Sequence, residues 1–333
     1  MNTSANSCLS VNIMIIVLAA VVFLLILHHN LLGLSDILKR QGSDVSAVGF
    51  QRIDFLPEAP EEKIIVDVPV VITAVESRLG GVIAAINSIS SNTQSSVTFY
   101  IVTMNDTKEH LRSWLGDTKL KNIKYKILDF DPQVLEGKIR ADERAKPLTF
   151  ARFYLPDLVP AVEKIIYLDD DVIVQGTYNY IGYFDYKKET IRKLGMKAST
   201  CSFNPGVFVA NLTEWKRQNI TRQLEKWMEL DIAEELYSKT LAGSITAPPL
   251  LIVFYKMHSS IDPMWHVRHL GSSTGKRYSI QFVYSARLLH WNGHFKPWGR
   301  AASYSEIWEK WYIPDPTGKF SIIRRHTDAE GAK

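Results

Sequence analysis

The sequence lacks several features that would have pointed to a common function. It has neither a GxxxxGK(S/T) phosphate loop nor a GxGxxG fingerprint, which argues against an ordinary kinase or a dinucleotide-dependent dehydrogenase. Its net charge is only +4, and no long Lys/Arg tract is interleaved with aromatic residues. Nucleic acid is therefore not an expected partner. Only two cysteines occur, Cys8 and Cys201, and an apolar N-terminal run separates them, so Cys201 is expected to lack a partner.

The N-terminal run is the one long hydrophobic segment. Residues 11–27 contain a single polar residue, Asn12, and no small-residue cleavage site follows at residues 28–30. Because such a run is long enough to span a bilayer, we expect an uncleaved signal anchor over residues 11–32. Residues 1–10 are then a cytoplasmic tail, and residues 33–66, which have no sustained periodicity, are typical of a stem.

Three Asn-x-Thr sequons follow, at Asn105, Asn211 and Asn219. They are candidate glycosylation sites if this part of the chain is luminal. Asn211 closes an apolar run, so we expect it to be less accessible than the other two.

Beyond residue 67, apolar runs alternate with helical patterns. Strands are predicted over residues 68–75, 97–103, 123–130, 164–168 and 207–210, and helices over residues 80–91, 107–115, 150–158 and 213–230. Strands that alternate with helices indicate βαβ units and a mostly parallel sheet. The prediction is a Rossmann-like α/β fold, with a single domain over residues 67–333.

The strand over residues 164–168 ends in three consecutive acids, Asp169, Asp170 and Asp171. Open α/β sheets bind ligands beyond the carboxyl ends of their strands. Three adjacent carboxylates also need compensating positive charge, so a divalent cation is an economical explanation. Alternation would turn Asp169 and Asp171 to one side and Asp170 to the other. The alternative is a solvated acidic turn.

A second polar group follows near the C-terminus, with His290, Gly293 and Lys296 spaced by three residues. A neutral imidazole at His290 can complete a coordination sphere that carboxylates begin. Gly293 allows the backbone to approach a phosphate, and Lys296 supplies positive charge. Carboxylates combined with imidazole suit Mn²⁺ better than Mg²⁺. Taken alone, His290 is more often a satisfied core histidine.

Together these segments, in their order from Val70 to Trp298, resemble glycosyltransferase family 8. The resemblance implies a GT-A fold, a UDP-sugar donor, Mn²⁺ as cofactor and transfer of a hexose with retention of configuration. It also implies a single-pass type II protein of the Golgi membrane with a luminal catalytic domain. The acceptor, whether glycan, protein or lipid, is not implied.

The resemblance assigns roles to individual residues. Asp169 and Asp171 match the acids of the family's DxD motif, and His290 matches its third metal ligand. Four residues are the predicted catalytic groups: Asp169, Asp171, Arg152 and Lys296. The predicted donor-binding residues are Thr73, Ala74 and Arg78 at the uridine, Asn204 and Gly206 at the sugar, and Gly293 and Lys296 at the phosphates. Asp170 is also a predicted donor-binding residue.

Two segments depart from the family pattern. Residues 247–252 are apolar where the family carries an acid-Gln-acid motif. Between Gly176 and Phe203, neither the helix nor the strand that the family places there is found, which indicates an internal deletion. Two alternatives therefore stay open: a transferase-like protein that binds nucleotide or a protein partner without turnover, and a metal-dependent phosphohydrolase, in which Lys296 would have no role.

Overall fold

The computed structural model describes residues 67–171, 183–199, 202–237, 245–272 and 275–323. They belong to one compact unit, Ile64–Lys333. The predicted tail, anchor and stem, residues 1–66, lie outside the described residues, as does Cys201.

Within the described ranges, no helix is long and apolar enough to cross a membrane. The longest has 15 residues, Ile220–Glu234, whereas a spanning helix needs about 20. The predicted localisation was that of a single-pass type II protein of the Golgi membrane with a luminal domain. This finding contradicts that prediction.

One mixed sheet organises the described part of the chain. The strands are β1 (Asp67–Ala74), β2 (Ser96–Thr103), β3 (Lys124–Asp129), β4 (Lys164–Leu168) and β5 (Val207–Asn211). Their order in the sheet is β3-β2-β1-β4-β5, and the first four are parallel while β5 runs antiparallel to β4. The predicted mostly parallel α/β sheet is confirmed, although the direction of β5 was not predicted.

Helices pack on both faces of this sheet. The single helix predicted over residues 213–230 is wrong, because Asn219 adopts a left-handed conformation (φ 52°) and divides it. A short helix also occurs within residues 183–199, where none was predicted, but no strand does. The α-helices are α1 (Leu79–Asn92), α2 (Lys108–Gly116), α3 (Leu155–Leu158), α4 (Glu189–Lys193), α5 (Leu212–Arg217), α6 (Ile220–Glu234), α7 (Ala247–Val253), α8 (Ile280–Ser285) and α9 (Ser305–Glu309); a 3₁₀ helix, Pro147–Phe153, precedes α3.

The central strand β1 is buried on both faces. Val70 and Ile72 belong to a core with α1, α2 and the C-terminal aromatic residues, and Val71 belongs to a second core with the 3₁₀ helix, α5 and α6. Side chains alternate across a strand, so one apolar run serves both cores. Because β1 and β4 are parallel neighbours, their carboxyl ends lie at the same edge of the sheet. The candidate site lies at that edge.

Candidate active site

Asp169 lies at the carboxyl end of β4 and is paired with Arg152 of the 3₁₀ helix. The Nη2 group of Arg152 donates to Asp169 Oδ1 at 2.6 Å, while Nη1 donates to the Pro205 carbonyl at 3.1 Å and Nε to the Thr149 carbonyl at 3.2 Å. Arg152 is buried, so this is not the exposed salt bridge of a helix surface. Burial raises the pKa of Asp169, although Arg152 opposes that shift.

Asp170 and Asp171 share a second arginine, Arg78, which follows β1. Its Nη2 atom lies 2.5 Å from Asp170 Oδ1 and 2.9 Å from Asp171 Oδ2. Burial raises the pKa of Asp170 to about 7 against the influence of Arg78. Alternation had predicted opposite sides for these two acids. That prediction is wrong because β4 ends at Leu168, and the turn that follows brings both carboxylates to one guanidinium.

The three predicted metal ligands meet in space. One ligand atom from each of Asp169, Asp171 and His290 lies within 4.8 Å of the other two. His290 Nε2 is 3.2 Å from Asp171 Oδ1, and the ammonium of Lys296 contacts Asp171 Oδ2. Burial, with the positive charges of Lys296 and Arg268 adding to it, holds the pKa of His290 well below its usual value. The imidazole is thus neutral, which is the form that binds metals, and the donor set fits a divalent ion.

Gly206 and Asn204 lie directly beside this cluster. The Gly206 N–H donates to Asn204 Oδ1 at 2.7 Å, and the Gly206 carbonyl accepts from the Asp169 N–H at 2.9 Å. A Cβ at position 206 would lie 2.5 Å from Asp169 Oδ2 and 3.1 Å from His290 Cε1. A side chain at this position would displace the Asp169 carboxylate and lie in tight contact with His290.

At the end of β1, Thr73 is linked to the acids through Tyr167. The Tyr167 hydroxyl lies 3.2 Å from Thr73 Oγ1 and donates to Asp169 Oδ1 at 3.2 Å. Ala74 is fully buried, and its carbonyl accepts from the Thr103 hydroxyl at 2.6 Å. Sequence reasoning missed Tyr167. The signal was present, because Tyr167 precedes Asp169 by two residues. The Asp169 N–H still bonds to the Gly206 carbonyl of the neighbouring segment, so the alternation of β4 extends to Asp169 but not into the turn after it.

The C-terminal segment is held against the acidic turn by its backbone. The Trp291 N–H donates to the Asp171 carbonyl at 2.9 Å, and Lys296 Nζ donates to the Trp291 carbonyl at 3.2 Å. Gly293 has a φ of 115°, and a Cβ there would lie 2.4 Å from the Gly271 carbonyl oxygen. Close backbone packing therefore already requires a glycine at this position.

The segment expected to replace the family's acid-Gln-acid motif forms α7. Every residue of α7 is buried, and all seven are apolar: Ala247, Pro248, Pro249, Leu250, Leu251, Ile252 and Val253. It therefore packs in the interior and presents no acid to the site.

All three candidate glycosylation sites are exposed. Its apolar run suggested that Asn211 is too buried to modify, but Asn211 is exposed, because β5 lies at the edge of the described sheet. Its Oδ1 accepts from the Glu214 N–H at 3.0 Å and caps α5.

Comparison with known proteins shows the family to which the chain belongs. The model of "Glycosyl transferase family 8" matches residues 69–302, and the chain belongs to that family. It is 63% identical to glycosyltransferase 8 domain-containing protein 1 of Xenopus tropicalis over 97% of this chain and 99% of that protein. The human protein of the same description is 61% identical over equal shares, and glycosyltransferase 8 domain-containing protein 2 of Macaca fascicularis is 46% identical over 80% of this chain and 87% of that protein.

Solved structures agree on the fold. The WbbM bifunctional glycosyltransferase matches with a TM-score of 0.56 at 15% identity, over 76% of this chain and half of that one. The galactosyltransferase LgtC, in complex with donor and acceptor sugar analogues, matches with a TM-score of 0.50 at 17% identity, over 76% of this chain and all of that one. The predicted GT-A-like fold is thereby confirmed.

The relatives contain positions that this chain lacks. The alignment with the Xenopus tropicalis protein runs over 366 positions, whereas the chain has 333 residues, so at least 33 positions of the alignment have no residue here. Because the alignment covers nearly all of both chains, the missing positions are internal, as the sequence had indicated.

Proposed function

We propose that residues 67–333 form a retaining hexosyltransferase domain that uses a UDP-sugar and Mn²⁺ to glycosylate a hydroxyl of a glycan, protein or lipid. The observation that carries the proposal is the convergence of Asp169, Asp171 and His290 within 4.8 Å. His290 and Lys296 reach Asp171 from 119 and 125 residues away in sequence. A solvated acidic turn would not explain why a buried neutral imidazole and a lysine converge there.

In this proposal Asp169, Asp171 and His290 hold the metal, which supplies Lewis-acid stabilisation of the departing diphosphate. Lys296 adds positive charge. Its ammonium contacts Asp171, and its flexible four-carbon stem allows that ammonium to exchange the carboxylate for a phosphate oxygen. Together these charges lower the barrier to departure of UDP by stabilising the transition state more than the ground state.

The remaining residues bind and position the donor. Arg152 is fixed by three acceptors, so it orients Asp169 and places positive charge near the diphosphate. We assign Thr73, Ala74 and Arg78 to the uridine end, Asp170, Asn204 and Gly206 to the sugar, and Gly293 to the phosphates.

Retention follows if the acceptor hydroxyl enters on the face from which UDP departs. The bond from the anomeric carbon to the diphosphate breaks, a bond to the acceptor oxygen forms, and the hydroxyl proton passes to the departing phosphate. No nucleophile from the protein is required in this scheme.

The second candidate is a protein that binds nucleotide or a partner without turnover. Two observations favour it: α7 is apolar and buried where the family carries polar donor contacts, and at least 33 aligned positions are missing (366 positions against 333 residues). The cluster of Asp169, Asp171 and His290 takes no residue from α7 and forms without the missing positions, so ligand binding can persist where catalysis is lost.

Thermal-shift and UDP-release assays on the full chain separate these candidates. UDP or a UDP-sugar with Mn²⁺ should raise the melting temperature, and slow hydrolysis of one UDP-sugar should be abolished in Asp171→Asn. Binding of UDP without release from any UDP-sugar would favour the second candidate. A folded sample that no nucleotide stabilises would contradict both, and release of phosphate from simple esters, with indifference to UDP, would favour a phosphohydrolase.

A further inference from the structure

Tyr167 links the interior of the sheet to the predicted metal cluster. Its side chain is fully buried and belongs to the core formed with the 3₁₀ helix, α5 and α6. Phe208, its cross-strand partner on β5, stacks on the ring with the two centroids 4.9 Å apart, and the guanidinium carbon of Arg152 lies 4.9 Å from the ring centroid. Because these contacts fix the ring, they also fix the position of its hydroxyl.

The Tyr167 hydroxyl has two partners. Thr73 Oγ1 and Asp169 Oδ1 each lie 3.2 Å from it. A hydroxyl carries a single proton, and a carboxylate can only accept. The Tyr167 proton is therefore donated to Asp169, and the bond between Tyr167 and Thr73 is made with the Thr73 proton. Thr73, Tyr167 and Asp169 thus form a chain of hydrogen bonds with one direction.

The two oxygens of the Asp169 carboxylate have different surroundings. Oδ1 accepts from both Tyr167 and Arg152, at 3.2 and 2.6 Å. Among the residues that the structure describes, none donates a hydrogen bond to Oδ2. A Cβ at Gly206 would lie 2.5 Å from Oδ2 and 3.1 Å from His290 Cε1, so Oδ2 and His290 border the same point.

We propose that Tyr167 is a positioning residue of the metal site. Its hydroxyl, oriented by Thr73, acts together with Arg152 to hold Asp169 Oδ1 and leaves Oδ2 to the cation. The inference rests on the proposed function, in which Asp169 is a metal ligand. Hydrogen-bond partners of a ligating side chain orient it, and their loss typically weakens metal binding about tenfold to 100-fold.

The need to satisfy a buried hydroxyl does not account for this arrangement. Thr73 Oγ1 can accept a hydrogen bond as well as donate one, so it could satisfy the Tyr167 hydroxyl alone. Asp169 could likewise pair with Arg152 alone. A carboxylate oxygen held by two donors rotates less than one held by a single donor, and a ligand that is fixed in advance binds a metal more tightly.

The first test is Tyr167→Phe in the full chain, with Mn²⁺ alone as the probe and no nucleotide. The variant removes the hydroxyl and keeps the ring. Because Arg152 remains, we expect a loss of Mn²⁺ affinity at the lower end of the range, about tenfold, in titration calorimetry. The electron paramagnetic resonance spectrum of bound Mn²⁺ reports the arrangement of its ligands, and it should also change.

Tyr154→Phe is the matched control. Tyr154 is buried in the same core, and its hydroxyl also donates to a carboxylate, Glu225 Oε1, at 3.1 Å. Both variants should lower the midpoint of urea unfolding, because each removes a donor from an acceptor. Tyr154→Phe should nevertheless leave Mn²⁺ affinity within about twofold of wild type and leave the spectrum of the bound ion unchanged.

Thr73→Val tests the direction of the hydrogen-bond chain. Valine keeps the branched shape of the side chain and removes the proton that orients the Tyr167 hydroxyl. We expect a smaller loss of Mn²⁺ affinity, about twofold to fivefold. Because Thr73 acts through Tyr167, the double variant should bind no more weakly than Tyr167→Phe does. A further loss in the double variant would overturn the role given to Thr73.

The outcomes separate this inference from the proposed function. If the wild-type chain binds Mn²⁺ and Tyr167→Phe binds it equally well, or if Tyr154→Phe loses as much affinity, the inference is overturned and the metal site stands. If the folded wild-type chain binds no Mn²⁺, both are overturned. Urea unfolding verifies that each variant folds. Should Tyr167→Phe not fold, an unchanged affinity and spectrum in Thr73→Val would overturn the inference.

Discussion

A single nitrogen of Arg78 bridges two consecutive carboxylates, at 2.5 Å from Asp170 Oδ1 and 2.9 Å from Asp171 Oδ2. Both acids are buried, whereas the Arg78 side chain is 33% exposed. The arginine therefore closes the acidic turn from its solvent side. Its positive charge compensates the negative charge of Asp170 and Asp171, which the fold buries away from water.

Loss of this arginine should destabilise the fold. Removing one partner of a buried ion pair costs about 3–5 kcal/mol, and the partial exposure of Arg78 reduces our expectation for Arg78→Gln to about 1–3 kcal/mol. Urea unfolding measures the change. The control is Arg112→Gln, whose pair with Glu109 is exposed at both ends, with an expected change below about 0.5 kcal/mol. Equal changes in the two variants would contradict the assigned role of Arg78.

His290 should contribute strongly to the affinity for Mn²⁺. Substitution His290→Gln removes the only imidazole of the cluster, and Mn²⁺ affinity, measured by titration calorimetry or by the electron paramagnetic resonance of free Mn²⁺, should fall at least about tenfold. His294→Gln is a matched control, because His294 lies in the same segment and is exposed. Similar losses in both variants would show that the segment, rather than the imidazole, governs binding.

Gly206→Ala should damage the site without a change in any ligand. The added methyl would meet Asp169 Oδ2 at 2.5 Å, so the carboxylate must leave its present position in the cluster. We expect Mn²⁺ binding to weaken and the unfolding free energy to fall by about 1–3 kcal/mol. Gly116→Ala, which has open space around its Cβ position at the end of α2, should leave Mn²⁺ binding unchanged and raise the unfolding free energy by up to about 1 kcal/mol. Unaltered Mn²⁺ binding in Gly206→Ala would argue against the observed cluster as the metal site.

Asp315 should make the free energy of unfolding depend on pH. Burial favours its neutral form, but hydrogen bonds from the N–H groups of Phe320 and Thr317, from the Thr317 hydroxyl and from His110 outweigh burial and lower its pKa. A depressed folded-state pKa stabilises the fold fully above the unfolded value of about 3.9 and progressively less below it. The difference in unfolding free energy between wild type and Asp315→Asn should therefore shrink as the pH falls below about 4.

Urea titrations at several pH values measure that difference. Asp117→Asn provides the comparison, because Asp117 is exposed at the end of α2 and its difference from wild type should be smaller. A difference for Asp315→Asn that grows as the pH falls would reverse the expected sign and refute the role given to this carboxylate.

The strands were predictable because their apolar runs are long and bounded by polar residues. β1 and β4 match their predicted ranges within one residue at each end, since burial on both faces leaves continuous apolar stretches. The division between α5 and α6 was not predictable, because the periodicity continues through Asn219 and only its backbone conformation breaks the helix.

The convergence of the three predicted ligands was predictable from the sequence, whereas the charge contacts around them were less so. Asp169, Asp171 and His290 were expected together, on residue chemistry combined with the family resemblance, and the structure places them together. The contact of Arg78 with Asp170 was missed, because a turn, unlike a strand, has no fixed alternation from which to infer directions. Such a contact depends on three-dimensional closure rather than on spacing.

The link between the acidic turn and the C-terminal segment has a consequence for the order of folding. The partners of Asp171, His290 and Lys296, lie 119 and 125 residues downstream in the sequence. A chain that is still being synthesised can therefore pair its central strands before the residues of the cluster are all present. Contacts of such sequence separation form slowly. Recovery of metal binding after dilution from denaturant should therefore lag behind the recovery of secondary structure, and a chain truncated before residue 290 should never acquire it.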